Sequence, residues 1–290
     1  MMRTTMKNTP KPTVYADCTR VTFIMEFRRL VRGRVDWSDL ESIARAIADR
    51  YDRSELSVRF LDADNWLSTP MVVDDDLFVK VISPQNTLVH AIFTTGRNLG
   101  VLSSGVEGFF EPFQTPLEMA QHELAATEQM RALGIHAPKP IEAFEHNGFG
   151  IAVLEYLPSF RPLDELDTAT EIELAPELFQ SLATLHQNGL AHGDLRAENV
   201  LIRNGELYFI DATNVKSSAE ADAKSYDLAC ALAALEPLIG AHKTVSAALT
   251  IYSAEELLAA LDFLDFVNIR PDHDFNAIVL KSEIEKHLTP

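Results

Sequence analysis

His192-Gly193-Asp194-Leu195-Arg196-Ala197-Glu198-Asn199-Val200-Leu201-Ile202, followed by Asn204-Gly205 and then Leu207-Tyr208-Phe209-Ile210-Asp211-Ala212-Thr213, is the stretch that decides the fold. Val200–Ile202 and Leu207–Ile210 are apolar and rich in strand formers. The Asn-Gly pair between them tolerates the positive φ angles of a tight turn, so a β-hairpin is predicted. A loop entering a hairpin and a loop leaving it lie at the same end, so Asp194, Asn199 and Asp211 can face one small volume. Two carboxylates and an amide oxygen suit magnesium held between protein and nucleotide phosphates. Each of these residues alone is equally at home in a turn; it is their order and spacing together that give the set its weight.

Working outward, Leu174, Leu178, Leu182 and Leu185 repeat at helical spacing until Gly189, and everything after Asp222 reads as helix. Leu228–Leu238 and Leu257–Phe266 are read as the core of that helical part. Upstream, Phe149–Tyr156 is a strand, and Val58–Phe60, Met71–Val73 and Leu77–Ile82 alternate with polar turns as an antiparallel sheet would. Thr115-Pro116-Leu117-Glu118 starts a helix that Gly134 and Pro138 end. Ser38-x-x-Glu41 has the form of a capping box ahead of the stripe Leu40, Ile43, Ala44, Ile47, Ala48 and Tyr51. The map is therefore a disordered tail over 1–20, an N-terminal helical extension over 21–56, a small lobe over 57–157 with an insertion at 83–114, and a helical large lobe over 158–290.

At 290 residues and 47% hydrophobic content, the chain can bury a substantial core. It has no apolar run of about 18 residues and no signal-peptide pattern at its start, which predicts a cytoplasmic protein with no membrane partner. Cys18 and Cys230 supply neither a disulfide framework nor zinc-ligand spacing. The formal charge of −18 repels nucleic-acid phosphates, so direct nucleic-acid binding is not expected. Nine lysines against sixteen arginines, with acidic runs such as Asp74-Asp75-Asp76, fit the cytosol of a halophile such as a haloarchaeon. Stability measured in low and molar KCl checks that expectation.

HGDLRAENVLI followed by LYFIDAT resembles the protein-kinase-like superfamily in order and spacing. The fold so implied is α+β and bilobal, with a small antiparallel-sheet lobe and a mainly helical large lobe. By the same resemblance Asp194 would orient and deprotonate the attacking hydroxyl, and Asn199 and Asp211 would hold magnesium, or manganese in its place, against ATP. Lys80 matches the small-lobe lysine that contacts phosphates. Glu123 matches its helix partner, with Glu118 and Glu128 as alternatives on the same helix. Glu155, Tyr156 and Leu157 match the hinge whose backbone reads adenine, and Asp227 matches the acid that braces the catalytic loop. Arg196 either neutralises the transferring phosphate or pairs with a nearby carboxylate.

The nucleotide loop, Asp62 to Pro70, departs from the superfamily pattern in having no glycine, so the Ser68 and Thr69 hydroxyls are candidates to take over from backbone amides. Asp211 is followed by Ala212-Thr213 rather than Phe-Gly. Fifteen residues separate Asp211 from Asp227, too few for a long activation segment. This shortness, the His-Gly-Asp triplet and the N-terminal helix look most like RIO-type atypical kinases and the lipopolysaccharide kinases. The implied activity is phosphorylation of a protein serine or threonine. A small-molecule phosphotransferase is the second reading, and a nucleotide-binding pseudokinase scaffold the third.

Overall fold

A computed structural model of the chain describes residues 35–61, 68–87, 113–212, 220–269 and 273–287. The expected tail, residues 21–34 of the extension, most of the insertion, the loop segment 62–67, Cys18 and Thr213 lie outside these ranges.

The described chain has an antiparallel sheet in its first half and helices in its second. The sheet is built from β1 (Val58–Phe60), β2 (Thr69–Val73), β3 (Leu77–Ile82), β4 (Pro140–His146) and β5 (Phe149–Glu155), in the order β1-β2-β3-β5-β4. All neighbours are antiparallel, and β3 is the central strand, with Lys80 opposite Pro70 on one side and Ala152 on the other. Strand alternation then sorts the side chains. Met71, Val73, Val79, Val81, Ile151 and Val153 form one face, covered by Ile43 and Ile47 of α1 (Trp37–Arg50). Ile82, Ala152 and Leu154 form the other, covered by Ala120 of α2 (Pro116–Ala132).

Helix α1 starts earlier than its capping-box signal indicates. Asp36 is the N-cap and makes no side-chain capping bond, so Ser38 falls inside the first turn. The apolar stripe is correct, and Ile43 and Ile47 are fully buried. Helix α2 starts where expected, with the Thr115 hydroxyl accepting from the Glu118 amide and Pro116 in the first turn. Strand β4 is the element missing from the sequence map. Its turn is Asn147-Gly148 at φ 50° and 83°, the same signal that marks the Asn204-Gly205 hairpin at φ 55° and 84°. The polar residues of β4, Glu142 and Glu145 among them, hid a strand that lies on the sheet edge.

Helix α2 lies directly on β5 at Gly150. A Cβ there would stand 2.1 Å from the Pro116 carbonyl oxygen, so no side chain fits without moving the helix. Gly150→Ala is expected to lower stability by about 3 kcal/mol or more, because the clash is with backbone. A fall in denaturation midpoint at constant m-value checks this; an unchanged midpoint contradicts the close approach.

The helical half comprises α3 (Thr168–Gln187), α4 (Glu220–Ile239), α5 (Ala241–Ala248), α6 (Ala254–Ile269) and α7 (Ala277–Lys286). Its core includes Leu178, Leu182, Leu232, Leu264 and Tyr226. The predicted hairpin, β7 (Val200–Arg203) with β8 (Glu206–Phe209), packs into that core, and the short β6 (Arg161–Pro162) adds a third strand.

Candidate active site

Lys80 leaves the α2 face of β3 into the interior, and its residue is 5% exposed. Such a cation is tolerable only if paired. Its Nζ donates to Glu123 Oε1 at 2.7 Å and to Asp211 Oδ1, so one ammonium joins the sheet, α2 and the end of the hairpin. Burial opposes the charge on Lys80. Attraction to Asp211 and then to Glu123 outweighs it and raises the pKa, so the lysine stays protonated. The Glu123 carboxyl is pushed up by burial while Lys80 pulls it down. Of the three acids on α2, Glu123 is the one brought to Lys80. Glu118 instead accepts from the Gln114 amide, and Glu128 is exposed.

The loop carrying Asp194 is fixed from beneath. Asp227, fully buried on α4, accepts the amides of His192 at 2.5 Å and Gly193 at 2.7 Å, and lies 3.3 Å from His186 Nε2. Gly193, at φ 79°, allows the loop to turn its amide toward that carboxylate. Asn199 ends a 3₁₀ turn, Ala197–Asn199, and its Nδ2 donates to the Asp194 carbonyl at 2.8 Å. That leaves the amide oxygen as a ligand atom. The Ile210 amide donates to the Asn199 carbonyl at 3.0 Å, which sets Asn199 beside Asp211.

Asp211 has φ 62°, a left-handed conformation that aspartate and asparagine tolerate better than other side chains. Among the described residues no group of three or more His, Cys, Asp or Glu could hold a metal alone. Asn199 and Asp211 offer two oxygen donors, which fits magnesium completed by phosphate and water.

Arg196 stands 3.4 Å from Asp194 Oδ2 and donates to Glu198, so the carboxylate-pairing alternative is the one the structure displays. Thr69 pairs with Val81, and its side chain belongs to the α1 face, away from Lys80; Ser68 precedes the paired residues and is buried. At the sheet's exit, the amides of Glu155 and Tyr156 are taken by the carbonyls of Lys139 and Asp76 at 2.8 and 3.0 Å. Leu157 follows, buried. The acidic turn Asp74-Asp75-Asp76 is bound up with this exit: Arg53 pairs with Asp74 and Asp76, and Arg59 reaches both Asp75 and the Tyr156 hydroxyl.

His192 is fully buried, and burial lowers its pKa below 6.5, with nearby carboxylates acting in the opposite direction. The unfolded state therefore takes up this proton first as pH falls. The contribution to stability is full above about 6.5 and is lost as pH drops from there toward the folded value. Melting curves of wild type and His192→Phe from pH 8 to 5 should diverge below about 6.5, with the wild type losing more; parallel curves would remove the depressed pKa.

Compared with known proteins, residues 111–227 match the RIO domain. The match takes in Glu123, Asp194, Asn199, Asp211 and Asp227, while Lys80 precedes it. The KEOPS complex subunit Bud32 of Pyrococcus abyssi is 27% identical over 114 residues, 38% of this chain and 51% of that protein. The lipopolysaccharide core heptose(II) kinase WaaY of Escherichia coli is 34% identical over 76 residues, 26% of this chain and 31% of its own length. The chain thus spans about half the length of these relatives or less. The crystal structure of a Rio2 kinase complex with ADP, Mg2+ and phosphoaspartate, from Chaetomium thermophilum, is similar over 88% of this chain and 78% of that one, at 15% identity and a TM-score of 0.48. With a five-stranded antiparallel sheet ahead of a helical half and a hairpin between the two acids, the described residues form an α+β fold whose residues 111–227 are similar to the RIO domain.

Proposed function

We propose that the chain is an ATP- and magnesium-dependent kinase of the RIO type that transfers the γ-phosphoryl group to a serine or threonine hydroxyl of a protein. The observation that carries this is the buried Lys80, which bridges Glu123 and Asp211 across the two halves. A buried ammonium between two carboxylates is a costly arrangement for stability alone. It is suited to a site where phosphates and a divalent cation share those partners.

In this reading Asn199 and Asp211 hold magnesium, which screens the charge of the phosphates when bound, and Lys80 fixes the phosphates themselves. The Leu157 backbone reads adenine, and in this reading Ser68 supplies a hydroxyl to the nucleotide. Asp194 orients the acceptor hydroxyl. As its oxygen bonds to the γ-phosphorus, the bond from that phosphorus to the β,γ-bridging oxygen breaks, ADP leaves, and the acceptor proton passes to Asp194.

The test is transfer of labelled γ-phosphate, at low and molar KCl, to the protein itself and to added protein acceptors. Label that Asp211→Asn abolishes supports the reading; asparagine is chosen because it tolerates the left-handed backbone. ATP binding without transfer in any condition favours a scaffold. Absence of ATP binding overturns the proposal. The short link from Asp211 to Asp227 leaves little chain for a peptide platform, which favours including small hydroxylated metabolites as alternative acceptors.

A further inference from the structure

We infer that Tyr252 is a positioning residue for the catalytic loop, acting through the His186 ring and the Asp227 carboxylate on the amides of His192 and Gly193. The inference rests on the kinase reading above for its effect on rate. Tyr252 belongs to the segment between α5 and α6, far from Asp194 in the chain, and nothing in the phosphoryl-transfer scheme uses it. Its hydroxyl lies 2.9 Å from His186 Nδ1, His186 Nε2 lies 3.3 Å from Asp227 Oδ2, and Asp227 accepts both loop amides. All three side chains are buried: Tyr252 is 7% exposed, His186 5% and Asp227 0%.

The direction of the chain of bonds follows from what each group can do. The Asp227 carboxylate only accepts, so His186 must donate from Nε2. A neutral ring with its proton on Nε2 accepts at Nδ1, so Tyr252 donates there. Burial pushes the Tyr252 phenol up, and the negative charges of Asp227 and Glu256 add to this, so the hydroxyl keeps its proton. Without that donor the imidazole is free to turn over, which alters what faces Asp227 and loosens the two amides that set the backbone at Asp194.

The packing of the tyrosine ring does not need the hydroxyl. The ring meets Phe179 edge-on at 6.4 Å and His186 at 5.9 Å between centroids, contacts that phenylalanine would keep. Tyr252→Phe therefore isolates the hydroxyl.

The experiment compares wild type, Tyr252→Phe, His186→Phe and the double variant by amide hydrogen exchange at His192 and Gly193, by kcat and by ATP Kd. Tyr252→Phe is expected to speed exchange at both amides and lower kcat, each by about 5–30-fold, the size of one lost buried hydrogen bond, with ATP Kd unchanged. It should add nothing further in the His186→Phe background, since the effect is routed through that ring. Unchanged exchange and kcat in Tyr252→Phe, or a loss of equal size in both backgrounds, overturns the inference. Hydrogen exchange needs no ATP. A wild type that transfers no phosphate therefore defeats the kinase reading, while the exchange result still decides whether Tyr252 holds the loop.

Discussion

Asp194→Asn is expected to reduce phosphoryl transfer by about 10²–10⁴-fold while leaving ATP binding and the melting temperature close to those of the parent. The separation follows from which atoms build the loop. The Asp194 carbonyl, not its carboxylate, receives the Asn199 amide, and the neighbouring amides of His192 and Gly193 go to Asp227. The carboxylate faces Arg196 at 3.4 Å and is partly exposed, so an amide of the same shape preserves the backbone anchors. It removes only the negative charge and the capacity to take a proton. Single-turnover measurements with saturating ATP separate the chemical step from binding. A variant retaining more than about a tenth of wild-type transfer would deny Asp194 the base role.

Lys80→Met is the second large effect, and it acts on stability as well as on rate. Methionine keeps the length of the chain and its fit to the strand but leaves Glu123 and Asp211 facing a site with no cation. Side-chain exposures of 15% and 23% give them only partial relief from water. The loss is about 2–4 kcal/mol at neutral pH, somewhat under the value for a fully enclosed pair. Transfer should fall at least about 10²-fold with the donor to phosphate gone.

The sign of the pH response identifies the cause. In the variant, the Glu123 carboxyl, already pushed up by burial, loses the opposing pull of Lys80, so folding takes up a proton there and stability recovers as pH falls toward its folded value. Adding Glu123→Gln should restore part of the neutral-pH loss by removing one of the two charges. A deficit that is flat with pH and indifferent to Glu123→Gln would show that packing, not charge, is what Lys80 supplies.

The parts of the site carried by adjacent residues were legible in the sequence. Asp194, Asn199 and Asp211 sit around a hairpin whose turn chemistry fixes its own geometry, and the amides that join them follow from that hairpin. Lys80 announced itself as a charge within an apolar strand. Which glutamate it meets did not: three acids on α2 were candidates, and the choice depends on the rotation of the helix on the sheet. Thr69 was misplaced for the same kind of reason, since the face it occupies depends on strand register, which the loop sequence leaves open. Strand β4 escaped because an edge strand keeps polar residues, although its Asn-Gly turn was in view. His186 and Tyr252 carry no local pattern at all. They lie 66 residues apart and meet only because α3 and the segment after α5 pack side by side.

The acidic turn Asp74-Asp75-Asp76, read as part of a halophile-like composition, also ties the exit of the sheet through Arg53 and Arg59. A run of like charge describes composition, while its partners are set by topology.

Gly150 has a longer reach than its lack of a side chain suggests. Helix α2 is a rigid lever whose fulcrum is the contact between Pro116 and the bare Cα of Gly150, and Glu123 rides about 10 Å along it at 1.5 Å per residue. Small displacements at the fulcrum are delivered whole to the carboxylate. The aim of Glu123 at Lys80 is therefore calibrated by an empty space on the neighbouring strand, and drift at that glycine would detune the Lys80–Glu123 pair without altering either of its members.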